Sequence, residues 1–191
     1  MAYGLLGRKL GHSHSPTIHE AFGRYAYGLF EVEPGELEGF VKGGAYDGLN
    51  VTIPYKKAVV PFCDHLDDAA REIGSVNTIT RAVSGKLVGY NTDVFGFEAM
   101  LGDMDVGGKK VLVLGSGGSS LTVCWALRRR GAHVTTISRS HPHDNYDNIA
   151  SRHAEAELLV NTTPVGQHPN TEEAPVDVSL LPKLEAVLDL V

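Results

Sequence analysis

The feature that most constrains the fold is a strand-and-turn unit in the second half of the chain. Lys110-Val111-Leu112-Val113-Leu114 runs directly into Gly115-Ser116-Gly117-Gly118-Ser119-Ser120. Consecutive apolar residues without alternation suit a strand buried on both faces, as in a parallel sheet covered by helices. In the turn, Gly115 permits a tight reversal and Gly117 lets the backbone approach a pyrophosphate. The helix expected from about Ser119 to Arg130 turns its amide dipole toward negative charge. A second strand is expected at His133 to Ile137. This order fits the dinucleotide fingerprint, with Ser116, Gly118 and Ser119 completing the loop and Ser120 standing where the third glycine or alanine is usual. A plain strand-loop-helix turn gives the same pattern without a ligand, and remains the alternative.

The residues just after the second strand choose the cofactor. NAD enzymes place an Asp or Glu there for the ribose hydroxyls, whereas NADP enzymes place an arginine. Here the residues are Ser138-Arg139-Ser140, and no carboxylate appears before Asp144. Arg139 is therefore expected to meet a 2′-phosphate, with Ser138 and Ser140 donating hydrogen bonds, which makes NADP (NADPH) the expected cofactor. In the competing arrangement Arg139 is solvated and Asp144 folds back to the ribose.

The chain changes rhythm near residue 105. Before it, strand patterns at Ala2 to Leu6, Gly28 to Val32 and Leu49 to Ile53 alternate with helical ones. One helix opens at Ser15-Pro16, where serine suits the cap and proline the first turn. A second is expected after Lys56, on the apolar positions Val60, Cys63, Leu66 and Ala69 to Ala70. Val76 to Thr80 and Leu87 to Tyr90 predict a hairpin around Ser84-Gly85. Asp93 to Leu101 predicts a connecting helix, and Gly102 to Lys110 a linker. The expected organisation is an α/β chain with residues 1–101 as a substrate-binding domain and residues 102–191 as a Rossmann-like dinucleotide-binding domain.

Within the first half, Leu49-Asn50-Val51-Thr52-Ile53-Pro54-Tyr55-Lys56 carries the chemistry. In an extended strand alternate residues share a face, so Asn50 and Thr52 point together while Val51 and Ile53 fill the core behind them. Pro54 ends the pairing and delivers Lys56 at the strand's end. Two small hydrogen-bonding side chains and an amine in one space suit a polyol pocket with an acid/base group. An edge strand followed by a solvated lysine would read the same way.

Composition narrows the function classes. The chain is 42% hydrophobic and 21% charged, with 23 Asp and Glu against 17 Lys and Arg, which argues against nucleic acid as a partner. Its basic cluster, Arg128-Arg129-Arg130, falls at an expected helix end where cations suit the dipole. There is no apolar run of membrane-spanning length and no leader pattern, so no membrane partner and a cytoplasmic location are expected. Cys63 and Cys124 form no framework and are read as buried thiols. Nine histidines include His12-Ser13-His14 and His141-Pro142-His143, but no set of ligands with supporting acids is visible, so no metal is expected.

Several of these motifs, in this order, resemble the shikimate dehydrogenases over essentially the whole chain. Gly11-His12-Ser13-His14-Ser15-Pro16 is similar to the family's S-x-S-P, which implies that Ser13 and Ser15 hold the substrate carboxylate. Asn50, Thr52 and Lys56 match N-V-T-x-P-x-K, implying substrate hydroxyl contacts from the first two and acid/base work from the lysine. Val76-Asn77-Thr78 resembles V-N-T, with Asn77 on the substrate. Gly89-Tyr90-Asn91-Thr92-Asp93 resembles G-x-N-T-D, which makes Asp93 the lysine's catalytic partner; the bland reading of Asp93 is a helix cap. Asn161-Thr162-Thr163-Pro164-Val165-Gly166 is similar to the N-x-T-P-x-G segment beside the cofactor, bringing in Thr163.

The resemblance implies NADP-dependent, reversible reduction of 3-dehydroshikimate to shikimate. Hydride transfer to a cyclic ketone builds charge on the carbonyl oxygen, and Lys56 is placed to supply the proton. The pattern departs from the family at Val94, where glycine is usual, at Gln167, where methionine is frequent, and at Leu188-Asp189-Leu190-Val191, where family members continue. Val187 to Val191 reads as a buried strand with nothing after it, so self-association through the uncovered face is expected. Two further readings stay open: a quinate/shikimate dehydrogenase using NAD, and a shortened non-catalytic paralogue that binds ligand.

Overall fold

The computed structural model describes residues 2–11 and 13–190; His12 of the first histidine pair and Val191 of the last apolar run lie outside them. The chain forms two compact units, Met1–Asp93 and Val94–Val191.

In the first unit, β1 (Tyr3–Gly7) lies between two parallel neighbours, β2 (Tyr27–Glu31) and β3 (Gly48–Val51). β5 (Thr78–Arg81) runs antiparallel to β3 and β6 (Leu87–Tyr90) antiparallel to β5, while the short β4 (His65–Leu66) pairs parallel with β6. Among the described residues this is a six-stranded mixed sheet in the order β2-β1-β3-β5-β6-β4. The helices of this unit are α1 (Ser15–Phe22), α2 (Leu37–Gly43) and α3 (Asp68–Ile73). Leu6, Leu49, Val51 and Ile79 on the strands, Val41 of α2 and Ala70 of α3 share one buried cluster. The β5–β6 hairpin turns at Gly85, whose φ of 83° belongs to the left-handed region.

The direction of each strand gathers the loops that matter at one edge. The C-terminal ends of β1 and β3, the N-terminal end of β5 and the C-terminal end of β6 all reach that edge. Leu5, Asn50, Thr78 and Tyr90 form a row across the sheet there. Just beyond the row, the Val51 N–H donates to the Asn77 carbonyl at 2.7 Å and the Asn77 N–H to the Tyr90 carbonyl at 3.0 Å.

The region after Lys56 differs from the expected helix. It breaks into turns, a short 3-10 segment at Val60–Phe62, the two-residue β4, and only then α3. Pro61 removes an amide donor in this stretch. Two aspartates commit the backbone elsewhere: Asp64 accepts from the Leu87 N–H at 2.8 Å, and Asp67 caps α3 by accepting from the Ala70 N–H at 2.7 Å. Ile53 likewise departs from expectation. β3 ends at Val51, so alternation stops early and Ile53 is 62% exposed. Tyr55 takes the core position, 2% exposed, with its hydroxyl donating to the Val32 carbonyl.

Ser15 is not the cap of α1. It is the first helical residue, and the hydroxyl that accepts its N–H, at 3.2 Å, is that of Ser13.

α4 (Asp93–Leu101) starts on the last residue of the first unit, and its remaining residues open the second. The sequence pattern puts the domain division after residue 101, but the compact units divide between Asp93 and Val94, because Phe97 and Leu101 are buried with Val106, Val123 and Leu127. β7 (Lys110–Leu114) leads through the glycine loop into α5 (Gly118–Arg129), and β8 (His133–Ile137) follows. After α6 (Ile149–His153) come β9 (Leu158–Asn161) and β10 (Ala186–Asp189). Among the described residues the strands are all parallel, in the order β10-β9-β7-β8. Val111 to Leu114 are each at most 2% exposed, as a doubly covered strand requires. β10, expected as a buried strand, is an edge strand with Val187 49% exposed.

The arginine cluster is structural. Arg130 binds the Glu98 carboxylate, with Nε at 2.8 Å, and the Gly102 carbonyl at 2.9 Å, while Arg129 lies over the Trp125 ring. Cys124 is buried and Cys63 half-buried; burial and the Asp64 charge push the Cys63 thiol up to about 11. Among the described residues no helix is long and apolar enough to cross a membrane, and no group of three or more metal-ligating side chains converges.

Candidate active site

Lys56 and Asp93 meet at the sheet edge of the first unit. Lys56 Nζ donates to Asp93 Oδ2 at 2.7 Å, with the two side chains 15% and 35% exposed. Lys56 arrives there because the chain leaves β3 at Val51 and turns, the Tyr55 N–H donating to the Thr52 carbonyl at 2.9 Å. Asp93 is the first residue of α4, one position past the cap, where the helix dipole favours an anion. Its carboxylate is therefore available to side chains, and the cap reading of Asp93 gives way to an ion pair.

Asn77 completes the carboxylate's surroundings. Its Nδ2 donates to Asp93 Oδ1 at 2.7 Å and to Thr92 Oγ1 at 2.9 Å, while its Oδ1 accepts from the Thr92 N–H at 2.8 Å. A backbone amide can only donate, so this last bond fixes which end of the Asn77 amide faces which neighbour. The side chain is buried, 8% exposed, and each of these bonds is correspondingly stronger than it would be in water.

From Asn77 the network continues toward β3 and β2. Thr78 Oγ1 donates to Asn77 Oδ1 at 3.2 Å and accepts from Asn50 Nδ2 at 3.3 Å, and Asn50 Oδ1 accepts from the Tyr27 hydroxyl at 2.7 Å. Asn50 and Thr78 are polar members of a cavity of about 540 Å³ whose other walls include Tyr3, His19, Tyr25 and Tyr27. Thr52 follows the strand, half-buried; its methyl lies so close to Gly7 that a Cβ there would sit 2.9 Å from it. Ser13 and Ser15 form a separate pair at the start of α1, Oγ to Oγ at 3.1 Å.

The structure thus joins Lys56, Asp93, Asn77 and Asn50 in one chain of hydrogen bonds. Thr78, Thr92 and Tyr27 belong to it and are not singled out by the sequence. The two threonines sit inside recognisable motifs, next to the residues with assigned roles. Tyr27 carries no such signal, because its hydroxyl reaches Asn50 only through the parallel pairing of β2, β1 and β3.

The second unit holds the dinucleotide candidates. Gly115 adopts a φ of 108°, and a Cβ there would meet Thr162 Oγ1 at 2.9 Å and Thr163 Cγ2 at 3.3 Å, so both conformation and space require glycine. Ser116 and Gly117 are exposed, and α5 begins at Gly118 with no side-chain hydrogen bond capping it among the described residues. Gly118 and Ser119 therefore open a helix whose N-terminal dipole faces outward, which fits a pyrophosphate. Thr163 lies in the loop after β9. Its hydroxyl donates to Asn161 Oδ1 at 2.7 Å, and Asn161 Nδ2 in turn donates to Asp189 Oδ1 at 3.0 Å. Thr163 is thus tied into its own loop beside Gly115.

At the end of β8, Arg139 and Ser140 are exposed, whereas Ser138 is 8% exposed and its hydroxyl pairs with that of Ser140 at 3.2 Å. The Asp144 carboxylate is turned to His153 at 3.0 Å and Arg152 at 3.7 Å. That commitment removes the carboxylate that an NAD reading would need at the ribose. The exposed guanidinium of Arg139 beside two hydroxyls fits a 2′-phosphate instead.

Comparison with known proteins identifies the family. Residues 5–79 match the family described as shikimate dehydrogenase substrate binding domain. A shikimate dehydrogenase (NADP(+)) of Geobacillus kaustophilus is 36% identical, over 99% of this chain and 78% of the relative. Among solved structures, shikimate dehydrogenase 1 from Peptoclostridium difficile superposes with a TM-score of 0.88 at 32% identity, over 100% of this chain and 77% of that one. Shikimate 5-dehydrogenase from Thermus thermophilus, solved with NADP(H) and shikimate, gives 0.82 at 33% identity, over 100% and 78%. The chain belongs to the shikimate dehydrogenase family.

Proposed function

We propose that this protein is an NADP-dependent oxidoreductase that reduces 3-dehydroshikimate to shikimate, reversibly, with Lys56 as the acid/base group. The observation that carries the reading is the Lys56–Asp93–Asn77 constellation, an amine held at 2.7 Å by a carboxylate that is itself held at 2.7 Å by a buried amide. An ordinary surface ion pair has no need of the third member, and is worth little by itself.

The dinucleotide supplies the hydride. As it adds to the carbonyl carbon, electron density collects on the oxygen, and a positioned donor must neutralise it. Lys56 gives its proton to that oxygen in reduction and recovers it from the hydroxyl in oxidation. Asp93 fixes the direction of the ammonium and balances its charge, and Asn77, through its second Nδ2 hydrogen and the Thr92 backbone, keeps the carboxylate from rotating. Asn50 and Thr52 are assigned to the substrate's hydroxyls, Asn77 to one as well by exchange of its bond to Thr92 Oγ1, and Ser13 and Ser15 to the substrate's carboxylate.

Gly115, Ser116, Gly117, Gly118, Ser119 and Thr163 are assigned to the dinucleotide's phosphates and adjoining parts. Arg139 and Ser140 are assigned to the 2′-phosphate, with Ser138 supporting Ser140 from beneath rather than donating directly. The test is product identity: NADPH consumed with 3-dehydroshikimate, in equal amount to shikimate formed, supports the reading. Ligand binding without product would make this chain a binding protein of the same family.

A further inference from the structure

Tyr27, like Thr78, belongs to the hydrogen-bond chain without an assigned part in the chemistry. It lies on β2, two strands away from the strand that carries Asn50, and is only 9% exposed. Its ring is stacked on His19 with centroids 3.8 Å apart and planes within 9°. His19 is itself held, its Nδ1 2.7 Å from the Tyr25 hydroxyl. The phenol is thus clamped, and its hydroxyl meets Asn50 Oδ1 at 2.7 Å.

The direction of that bond follows from the other end of the chain. The Thr92 N–H fixes Asn77 Oδ1 as an acceptor, and the one hydrogen of Thr78 Oγ1 points to it at 3.2 Å or to Thr92 Oγ1 at 3.4 Å, in either case away from Asn50. Thr78 Oγ1 is then left as an acceptor toward Asn50, which must present Nδ2 to it and Oδ1 to Tyr27. Tyr27 closes the chain as a donor. Burial, with the neighbouring Tyr25, pushes its hydroxyl up to about 12, so it keeps its proton across any working pH.

We infer that Tyr27 is a positioning residue that locks the Asn50 amide in one of its two orientations, and so sets the hydrogen-bonding character that Asn50 shows to a polyol substrate. Among the described residues the second Nδ2 hydrogen of Asn50 has no partner, and it is the donor offered to a substrate hydroxyl. Without Tyr27 the amide is held only by its 3.3 Å bond to Thr78 Oγ1, whose hydroxyl can turn to donate instead, and an acceptor then replaces that donor part of the time. The inference rests on the reading of Asn50 as a substrate contact.

The experiment compares wild type, Tyr27→Phe, Asn50→Ala and the double variant. Losing one oriented neutral hydrogen bond is expected to raise the KM for shikimate by roughly threefold to tenfold, with kcat and the KM for NADP+ little changed. The same Tyr27→Phe change is expected to have no effect on an Asn50→Ala background, because it acts through that side chain. An equal effect on both backgrounds, or an unchanged KM in Tyr27→Phe, would overturn the inference. A fall in kcat and thermal stability together, without a KM effect, would also overturn it and leave Tyr27 a packing residue.

A second readout keeps this separate from the functional reading. In nitrogen-proton correlation spectra of the unliganded protein, Tyr27→Phe is expected to shift and broaden the Asn50 side-chain amide signals; unmoved signals would contradict the positioning role. Failure of wild type to bind shikimate, with the Asn50 signals still responding to Tyr27→Phe, would remove the substrate assignment and leave the lock standing.

Discussion

Lys56 and Asp93, 37 residues apart in the chain, lie 2.7 Å apart in space, and a single buried amide from Asn77 holds the carboxylate in place. The partners come from different loops, one after β3 and one after β6, that meet because both strands end at the same edge of the sheet. The relationship is therefore a consequence of topology rather than of local sequence.

If Lys56 moves the proton, Lys56→Ala lowers kcat by about 100-fold to 10,000-fold, the range of positioned acid/base groups. Asp93→Asn leaves the amine in place but loosens its aim, and a smaller loss of about 10-fold to 100-fold is expected. Steady-state kinetics on the two variants check the order; an Asp93 variant worse than the lysine variant would reverse the assigned roles.

Gly115 answers to the second unit. Alanine there must hold a φ of 108° and place a Cβ 2.9 Å from Thr162 Oγ1. Gly115→Ala is expected to cost about 1–3 kcal/mol of stability and to raise the KM for NADPH while leaving shikimate binding unaffected. Thermal unfolding and separate titration of the two ligands measure both effects.

Arg139 governs the choice of cofactor. Removing a charge-assisted bond to the 2′-phosphate costs about 1.5–3 kcal/mol, so Arg139→Ala is expected to raise the KM for NADPH by roughly 10-fold to 100-fold. NADH, which lacks that phosphate, serves as the control, and its KM should stay where it was. Equal effects on both cofactors would contradict the assignment.

Tyr27 makes stability depend on alkaline pH. Its hydroxyl titrates near 10.0 in an unfolded chain and at about 12 in the fold, so the folded state holds the proton more tightly. The contribution, on the order of 2 kcal/mol, is complete below pH 10 and is lost as pH rises through 12. Stability measured by urea unfolding across that window should fall more steeply for wild type than for Tyr27→Phe; parallel curves would show that Tyr27 is not so perturbed.

Much of this is legible in the sequence because the decisive signals are local. The apolar run Lys110–Leu114 and the glycines after it specify a buried strand and a tight turn whatever surrounds them. Asn50, Lys56, Asn77 and Asp93 sit in short motifs whose residue types fit one chemistry. The features that escape are set by tertiary context. Ile53 follows the alternation of β3 in sequence, yet the strand ends at Val51 and Tyr55 takes its place in the core. The stretch after Lys56 has helical apolar spacing, yet Asp64 and Asp67 tie its backbone to β6 and to α3. Ser15 has the residue type of a cap, but the hydroxyl two residues earlier does that work. Tyr27 is joined to the site by strand pairing alone, which no motif records.

Proton transfer by Lys56 is tested most directly by the rate of NADPH oxidation with 3-dehydroshikimate in wild type and Lys56→Ala, with shikimate affinity measured on the same two proteins. The expected result is turnover in wild type, its near-abolition in the variant, and shikimate affinities that remain within a few-fold of each other. Undiminished turnover in Lys56→Ala would contradict the assignment.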